Sequence, residues 1–185
     1  MQLKGKTVLV LGLARTGSEC ARFFVNEGAH VLVSDRRNEQ ELAPEVTRLA
    51  GLPIRYLLGG EEREWLTGVD LVVPSPGVPQ ENALLKEAAQ RRIPVLSEIE
   101  LAYRFFRAPL AAITGTNGKS TTTTLVGEMF KASGQRVFVG GNLGAPFIGA
   151  VSGDWEWGVV EVSSFQLEWV EGFRPRVAVL RNLSD

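Results

Sequence analysis

A glycine-rich segment at residues 115–121, Gly-Thr-Asn-Gly-Lys-Ser-Thr, carries the residue types that bind phosphate. It follows an apolar run at residues 110–113 and precedes apolar residues at helical spacing over 125–130. Glycines between a strand and a helix let backbone N–H groups surround an anion, and the start of the helix adds partial positive charge. The segment therefore predicts a loop that binds the phosphates of a nucleoside triphosphate.

Every residue of this loop is a candidate ATP-binding residue: Gly115, Thr116, Asn117, Gly118, Lys119, Ser120 and Thr121. Lys119 can reach the outer phosphates, and the Ser120 hydroxyl can ligate Mg²⁺. The usual pattern has a glycine five residues before the second one, but Ile113 stands there, so the loop is a short variant. The alternative is an ordinary strand-to-helix turn with a glycine and a capping serine.

A carboxylate interrupts a second apolar run, Val-Val-Glu-Val at residues 159–162. Burying an acid there is costly unless it is paired or bound to a metal, and in phosphate-loop proteins an acid on a neighbouring strand helps to hold Mg²⁺. Ser120 and Glu161 are therefore the candidate metal ligands, and Lys119 and Glu161 are the candidate catalytic residues. The other interpretation is that Glu161 occupies a solvent-facing position of the strand.

A second glycine turn, Gly-Leu-Ala-Arg-Thr-Gly at residues 12–17, nearly matches the dinucleotide-binding pattern G-x-G-x-x-G, with Ala14 at the second glycine. Asp35 ends the next predicted strand, where an acid would hold a ribose hydroxyl, so the literal prediction is NAD binding. However, the Ala14 methyl group hinders approach of a pyrophosphate, and arginines at 15, 36 and 37 favour another ligand with its own phosphates. The alternative is a turn that only packs a helix on a strand.

Composition excludes several classes of protein. The chain has 185 residues, 44% hydrophobic and 22% charged, and a net charge of −1, which argues against nucleic acid or a charged membrane surface as a partner. No apolar stretch is long enough for a signal peptide or a membrane span. The single cysteine, Cys20, is expected in the core, which fits a cytoplasmic location. The single histidine cannot build a metal site, so any metal must be bound by oxygen, as Mg²⁺ is.

Strands and helices alternate along the chain, which predicts an α/β fold with parallel sheets covered on both faces. Strands are predicted over residues 7–11, 31–33, 54–57, 69–73, 93–96, 110–113, 136–139, 157–162 and 177–180, and helices over 18–26, 39–50 and 83–89 and after 119. We predict a Rossmann-like parallel-sheet domain at residues 1–95, followed by a P-loop-type α/β ATPase domain at 96–185. The sequence stops directly after a predicted buried strand, so we expect this second domain to be truncated and the parent protein to be longer.

With both halves considered, the sequence resembles the Mur ligases over essentially its whole length. The segments at residues 115–121, 140–144 and 161–168 resemble the central domain of that family. Those at 12–17, 35–37 and 75–77 resemble the N-terminal domain of the members that join D-glutamate to UDP-N-acetylmuramoyl-L-alanine. The resemblance implies an ATP-dependent amide ligase of peptidoglycan synthesis in the bacterial cytoplasm, which uses Mg²⁺ and an acyl-phosphate intermediate. We expect a monomer.

The resemblance also implies roles for single residues. Lys119 matches a position that binds the β- and γ-phosphates, and Ser120 and Glu161 match positions that help to hold Mg²⁺. The positions that hold the UDP end of the substrate match Thr16, Asp35, Arg37 and Gly77. The positions that line the path to the muramoyl group match Asn142 and Ser163. Arg15 and Arg36 match positions that vary in the family, so no role is carried over to them.

Members of the family continue with a His-rich segment, a modified lysine and a C-terminal domain that helps to bind ATP and D-glutamate. We therefore expect these 185 residues alone to bind ligands and to be inactive as a ligase. Three alternatives stay open: a sister amide ligase such as folylpolyglutamate synthase, an NAD-dependent oxidoreductase, and a non-catalytic nucleotide-binding fragment.

Overall fold

The computed structural model describes residues 1–183 and divides into two compact units, Met1–Glu98 and Ile99–Asp185. Each unit contains one parallel sheet with helices between its strands. The predicted α/β class is therefore confirmed. None of the helices in the described part of the chain is long and apolar enough to cross a membrane.

The first unit is built on a four-stranded parallel sheet. Its strands are β1 (Thr7–Leu11), β2 (His30–Asp35), β3 (Ile54–Leu58) and β4 (Leu71–Pro74), in the order β3-β2-β1-β4. The helices are α1 (Arg15–Asn26), α2 (Ala43–Arg48) and α3 (Ala83–Gln90), with a 3₁₀ turn at Arg63–Leu66. Because β2 and β4 flank β1 on opposite sides, the chain changes its direction of winding at β1. Ligands of open α/β sheets bind at such a point, beyond the carboxyl ends of the strands.

Strand β1 lies in the core of this unit. Val8, Leu9 and Val10 are buried along its length, as expected for a parallel strand that is covered on both faces. In α1, the side chains of Cys20 and Phe24 are buried, so the predicted core position of Cys20 is confirmed. Burial raises the pKa of the Cys20 thiol well above its usual value, which keeps it in the neutral form.

Helix α1 begins at Arg15, three residues before its predicted start at 18, so Gly17 belongs to its first turns and not to the preceding loop. A β-carbon at Gly17 would lie 1.9 Å from the carbonyl oxygen of Gly12. Gly17, which stands at the third glycine of the G-x-G-x-x-G pattern, therefore allows close packing of the helix against the end of β1.

The second unit has the same kind of architecture. Its strands are β5 (Leu110–Thr114), β6 (Val137–Gly141), β7 (Trp157–Glu161) and β8 (Val177–Leu180), all parallel and in the order β6-β7-β5-β8. The helices are α4 (Glu98–Phe105), α5 (Lys119–Ala132) and α6 (Ser164–Leu167), with a 3₁₀ turn at Phe147–Ala150. Val126 and Phe130 of α5 pack on a buried cluster from β5, β6 and β7 that includes Ile113 and Val159.

Two predicted elements of the first unit are wrong in type or extent. The strand predicted over 93–96 is a single bridge between Val72 and Val95, because Pro94 has no N–H to extend the ladder. The helix predicted over 39–50 is confined to Ala43–Arg48, with Pro44 in its first turn. Before it, Asn38 and Glu41 bond reciprocally through their side chains and backbone N–H groups, which forms a turn instead of helix.

Two elements of the second unit also differ from prediction. Residues 98–105 form α4, where no element was predicted, and Glu100 in it is fully buried. Its carboxylate accepts hydrogen bonds from Arg104 and from the backbone of Gly172, which explains how an acid is tolerated there. The strand over 177–180 exists, but it is an edge strand and largely exposed, with Val177 at 46% and Leu180 at 59%.

We expect Gly17→Ala to lower the free energy of unfolding by about 2 kcal/mol, because the added methyl group overlaps the Gly12 carbonyl and overpacking outweighs the gain in helix propensity. Urea unfolding followed by circular dichroism measures the change. Gly77→Ala is the matched control, since a β-carbon there meets no atom within 4 Å. Equal stability of the two variants would show that the close contact at Gly17 is not needed.

Candidate functional site

In each unit, a group of polar residues lies where the C-terminal ends of the parallel strands meet. In the second unit, the pairing register sets Ile113, Glu161 and Gly141 side by side at the ends of β5, β7 and β6. The loops that follow these strands contain the candidate phosphate loop, Ser163 and Asn142. Residues distant in sequence are thus brought to one edge by the register of a parallel sheet.

The phosphate loop runs from the end of β5 to the first residue of α5, which is Lys119. Gly118 caps this helix with φ = 78°, a left-handed conformation that favours glycine. The N–H groups in the first turn of a helix have no partner within the helix, and together with the helix dipole they attract an anion. The geometry of residues 115–121 therefore matches the predicted phosphate-binding loop, and their role in binding stays a prediction.

The Lys119 side chain folds back over the loop. Its ammonium group donates to the carbonyl oxygens of Gly115 at 2.7 Å and Thr116 at 3.1 Å. No carboxylate pairs with it within the described residues. A cation held only by neutral carbonyls beside a helix N-terminus remains available to an incoming phosphate.

Glu161 is the buried acid of this site, with an exposed fraction of 3%. One carboxylate oxygen accepts a hydrogen bond from the Ser120 hydroxyl, and the other accepts one from the Asn142 amide, each at 2.7 Å. The backbone of Asn142 also donates to the Glu161 carbonyl oxygen at 2.9 Å. The solvent-facing alternative for Glu161 is therefore wrong, since the side chain points into a polar cluster and both of its oxygens are engaged.

The donor set at Glu161 suits Mg²⁺. A carboxylate and a hydroxyl are hard oxygen ligands, and Mg²⁺ is commonly held by one or two such groups together with water and substrate phosphates. Within residues 1–183 there is no group of three or more His, Cys, Asp or Glu side chains that could hold a metal by themselves. Ser120 and Glu161 therefore fit a metal shared with a nucleotide and do not form a closed protein cage.

Ser163 is engaged in the structure of α6. Its hydroxyl accepts the backbone N–H of Gln166 at 3.3 Å, and its own backbone N–H donates to the Gln166 side chain at 3.0 Å. This reciprocal pair is a capping box, which fixes the start of the helix directly after β7. The predicted contact of Ser163 with a substrate remains untested, and in this structure its hydroxyl stabilises the helix end.

The first unit holds a cavity of about 250 Å³ at the winding reversal beside β1. Its lining includes three of the four residues predicted to hold the UDP end, namely Asp35, Arg37 and Gly77. Ser75 also lines it and donates to the Gly12 carbonyl oxygen at 2.8 Å, which ties the loops after β4 and β1 together. Thr16 lies in the first turn of α1 and is not part of the lining.

Asp35 and Arg37 form a clamp at the cavity. One Asp35 oxygen accepts the Leu13 N–H and an Arg37 guanidinium N–H, both at 2.8 Å, and the other accepts the Arg37 backbone N–H at 3.0 Å. Burial raises the pKa of the Asp35 carboxyl, but hydrogen bonds and charge from Arg37, with the Leu13 N–H, outweigh it and hold this pKa below its usual value. The carboxylate that NAD binding would direct to a ribose is thus already occupied by protein donors.

Sequence reasoning missed Glu61 and Asn82 in this cavity. Glu61 accepts two hydrogen bonds from the Arg36 guanidinium, at 2.6 and 3.1 Å, and one from the Asn82 amide. Asn82 also caps α3 through its side-chain oxygen. An asparagine just before Ala-Leu-Leu is a recognisable cap signal, whereas Glu61 stands in a charged loop with no pattern that marks it.

Comparison with family models gives two matches that follow the two halves of the chain. Residues 6–97 match the model described as "Mur ligase MurD-like, N-terminal domain". Residues 113–185 match the model described as "Mur ligase middle domain".

Curated relatives match the chain along its entire length. The UDP-N-acetylmuramoylalanine–D-glutamate ligase of Geobacter metallireducens is 54% identical over 187 residues, a match that covers 100% of this chain and 41% of that protein. The protein of the same name from Geotalea uraniireducens is 56% identical over 188 residues, and the match covers 100% of this chain and 41% of that protein. The chain therefore spans about two fifths of the length of the curated relatives it matches.

Solved structures share the fold at low identity. The UDP-N-acetylmuramate:L-alanyl-gamma-D-glutamyl-meso-diaminopimelate ligase from Neisseria meningitides superposes with a TM-score of 0.57 at 19% identity, covering 97% of this chain and 61% of that one. The UDP-N-acetylmuramate-alanine ligase from Thermotoga maritima superposes with a TM-score of 0.53 at 23% sequence identity. That match covers 96% of this chain and 41% of the other. At such identities the likeness concerns the fold alone.

We expect Asp35→Asn to be less stable than the unaltered chain near pH 6, and this difference to shrink below about pH 4. A carboxyl whose pKa is lowered by folding contributes stability above its unfolded pKa, and this contribution is lost as the pH falls through the folded value. Urea midpoints between pH 6 and pH 3 measure the effect. Glu39→Gln removes an exposed carboxylate as the control. A difference that stayed constant with pH would contradict an ionised clamp.

Proposed function

The chain belongs to the Mur ligase family, and from that premise we propose that it carries the UDP-substrate site and the ATP site of a UDP-N-acetylmuramoyl-L-alanine:D-glutamate ligase. Two family models that together span most of the sequence, and relatives above 50% identity with that name, support the proposal. The activity is that of the longer parent protein, since this chain matches about two fifths of each relative.

The observation that carries the proposal is the convergence of Lys119, Ser120 and Glu161 at one sheet edge. A cation, a hydroxyl and a buried carboxylate around a left-handed glycine turn are what phosphoryl transfer requires. Such reactions demand positioning and neutralisation of charge more than covalent chemistry from the protein. An ordinary turn with a capping serine would not need a buried acid hydrogen-bonded to that serine.

In the proposed reaction, the terminal phosphoryl group of ATP passes to the carboxylate of the muramoyl-alanine, which gives an acyl phosphate and ADP. The amine of D-glutamate then attacks the acyl carbon, phosphate leaves, and the nitrogen loses a proton to give the amide. Lys119 would bind the β- and γ-phosphates, and Ser120 and Glu161 would hold Mg²⁺, which neutralises phosphate charge. Asn142 orients Glu161 and would line the path to the muramoyl group.

The cavity of the first unit is proposed to hold the UDP end of the substrate. The loops after β1 and β4 enclose it, and α1 begins beside it. The guanidinium groups of Arg36 and Arg37, each paired with a carboxylate of the same lining, would supply N–H donors to a phosphate. Asp35 supports this site chiefly by holding the Arg37 guanidinium in place. Thr16 and Gly77 would contact the ligand from the first turn of α1 and from the loop after β4.

Further parts of the proposal rest on the relatives. The reaction builds peptidoglycan from nucleotide-linked precursors, so we place the parent protein in the bacterial cytoplasm. D-Glutamate binding is assigned to residues beyond those that match here. We therefore propose that the 185 residues bind the UDP substrate and Mg²⁺–ATP without turnover, and formation of the amide product by this chain would contradict that.

We expect titration calorimetry to detect binding of UDP-N-acetylmuramoyl-L-alanine and no binding of NAD, because Asp35 is occupied by Arg37 and Leu13. Binding of NAD without binding of the UDP ligand would instead support the alternative of an NAD-dependent oxidoreductase.

Lys119→Ala should weaken Mg²⁺–ATP binding at least about tenfold and leave the affinity for the UDP ligand unaffected, since charge-assisted phosphate contacts contribute about 1.5–3 kcal/mol.

We expect Glu161→Gln to remove most of the gain in ATP affinity that Mg²⁺ produces, about tenfold or more, because an amide is a poor ligand for a divalent cation. Affinities measured with Mg²⁺ and with a chelator separate this effect from loss of nucleotide contacts. Glu168→Gln, which alters an exposed carboxylate seven residues later, is the control. An unchanged Mg²⁺ dependence would exclude Glu161 as a metal ligand.

A further inference from the structure

The segment that follows β8 lies across the phosphate loop. The Arg181 backbone N–H donates to the carbonyl oxygen of Thr114 at 3.0 Å. Asn182 accepts two loop N–H groups, that of Thr116 on its backbone oxygen at 3.0 Å and that of Asn117 on its side-chain oxygen at 2.9 Å. The position of residues 181–182 relative to the loop is therefore fixed by three hydrogen bonds.

This backbone arrangement places the Arg181 side chain on Gly118. A β-carbon at Gly118 would lie 2.6 Å from Nε, 2.8 Å from Cζ and 3.0 Å from Nη1 of Arg181, so the guanidinium covers the residue that caps α5. Its Nε also donates to the Thr122 hydroxyl, at 3.3 Å. Both contacts belong to the first turn of the helix on which the proposed ATP site is built.

The position of Arg181 is electrostatically unfavourable without an anion. The N-terminus of a helix carries partial positive charge, so a cation there is repelled where cations at the C-terminus are attracted. No carboxylate forms an ion pair with Arg181 in the part of the chain that the structure describes. Its one side-chain hydrogen bond there is to a neutral hydroxyl and uses Nε, which leaves the two Nη groups of the fork for another acceptor.

We propose that Arg181 is a second cationic ligand of the nucleotide phosphates, in addition to the Lys119 ammonium. A guanidinium binds phosphate through two parallel N–H groups, which a single ammonium does not. Lys119 is anchored on the carbonyl oxygens of Gly115 and Thr116, and Arg181 is anchored on Gly118 and Thr122, so the two cations border the anion from separate anchor points. This inference rests on the proposed function, since it assigns a further residue to the same ATP site.

The test is nucleotide affinity of the 185-residue chain carrying Arg181→Gln, measured by calorimetry with Mg²⁺–ATP and with adenosine. We expect the affinity for Mg²⁺–ATP to fall about tenfold, as for loss of one charge-assisted contact, and the affinity for adenosine to stay unchanged. Arg176→Gln is the matched control, because it removes an equal, exposed charge just before the start of β8, at the other end of that strand. It should change neither affinity by more than about twofold.

The variant Arg181→Lys and the urea unfolding midpoint of each variant show whether a loss of affinity comes from a folding defect. The lysine variant should keep the fold and the charge but recover only part of the affinity, because it lacks the paired N–H groups. Equal ATP affinity in Arg181→Gln and the unaltered chain would overturn the assignment and leave the ATP site itself standing. An equal loss in Arg176→Gln would overturn it too, in favour of long-range electrostatics. Failure of the unaltered chain to bind Mg²⁺–ATP would instead remove the proposed site and the inference together.

Discussion

The buried carboxylate of Glu161 is the constraint on which the second unit depends. An acid with 3% of its surface exposed must be compensated, and both of its oxygens are hydrogen-bonded, one to Ser120 and one to Asn142. Those partners come from the first turn of α5 and from the loop after β6, so one side chain ties three segments to a single sheet edge. A divalent cation bound to this carboxylate would take over part of the compensation for its burial.

In the first unit, the carboxylate at a strand end is compensated by an ion pair. Asp35 at the end of β2 is held by Arg37 and by the Leu13 N–H, which orders the loop after β1 and the residues after β2 together. The pair is partly exposed, so its contribution to stability is modest, and its main effect is to fix where the guanidinium points. In both units, therefore, a carboxylate at the end of a strand holds together the loops that follow neighbouring strands.

The elements that could be predicted are those whose signal is local. Continuous apolar runs identified β1, β2, β4, β5 and β7, because a strand buried on both faces has no polar alternate positions. The apolar face of α1 was visible from its spacing. The errors arose where local preference was overridden or absent. Pro94 reduced a predicted strand to one bridge, and the reciprocal bonds between Asn38 and Glu41 made a turn out of predicted helix. α4 was missed because it contains an acid, Glu100, whose burial depends on Arg104 and on backbone more than 70 residues away.

The sequence alone determined the α/β class and the family, and it predicted a glycine turn between β5 and α5, because glycine turns, apolar runs and motif spacing depend on residues that are close together in the chain. Only the tertiary structure decided which distant residues meet. The register of parallel strands brought Glu161 to Ser120 and Asn142, and the winding reversal at β1 brought Glu61 and Asn82 into the same cavity as Arg36. The exposure of β8 and the placement of Arg181 on Gly118 were equally invisible, because both follow from pairing between segments that are about 60 residues apart.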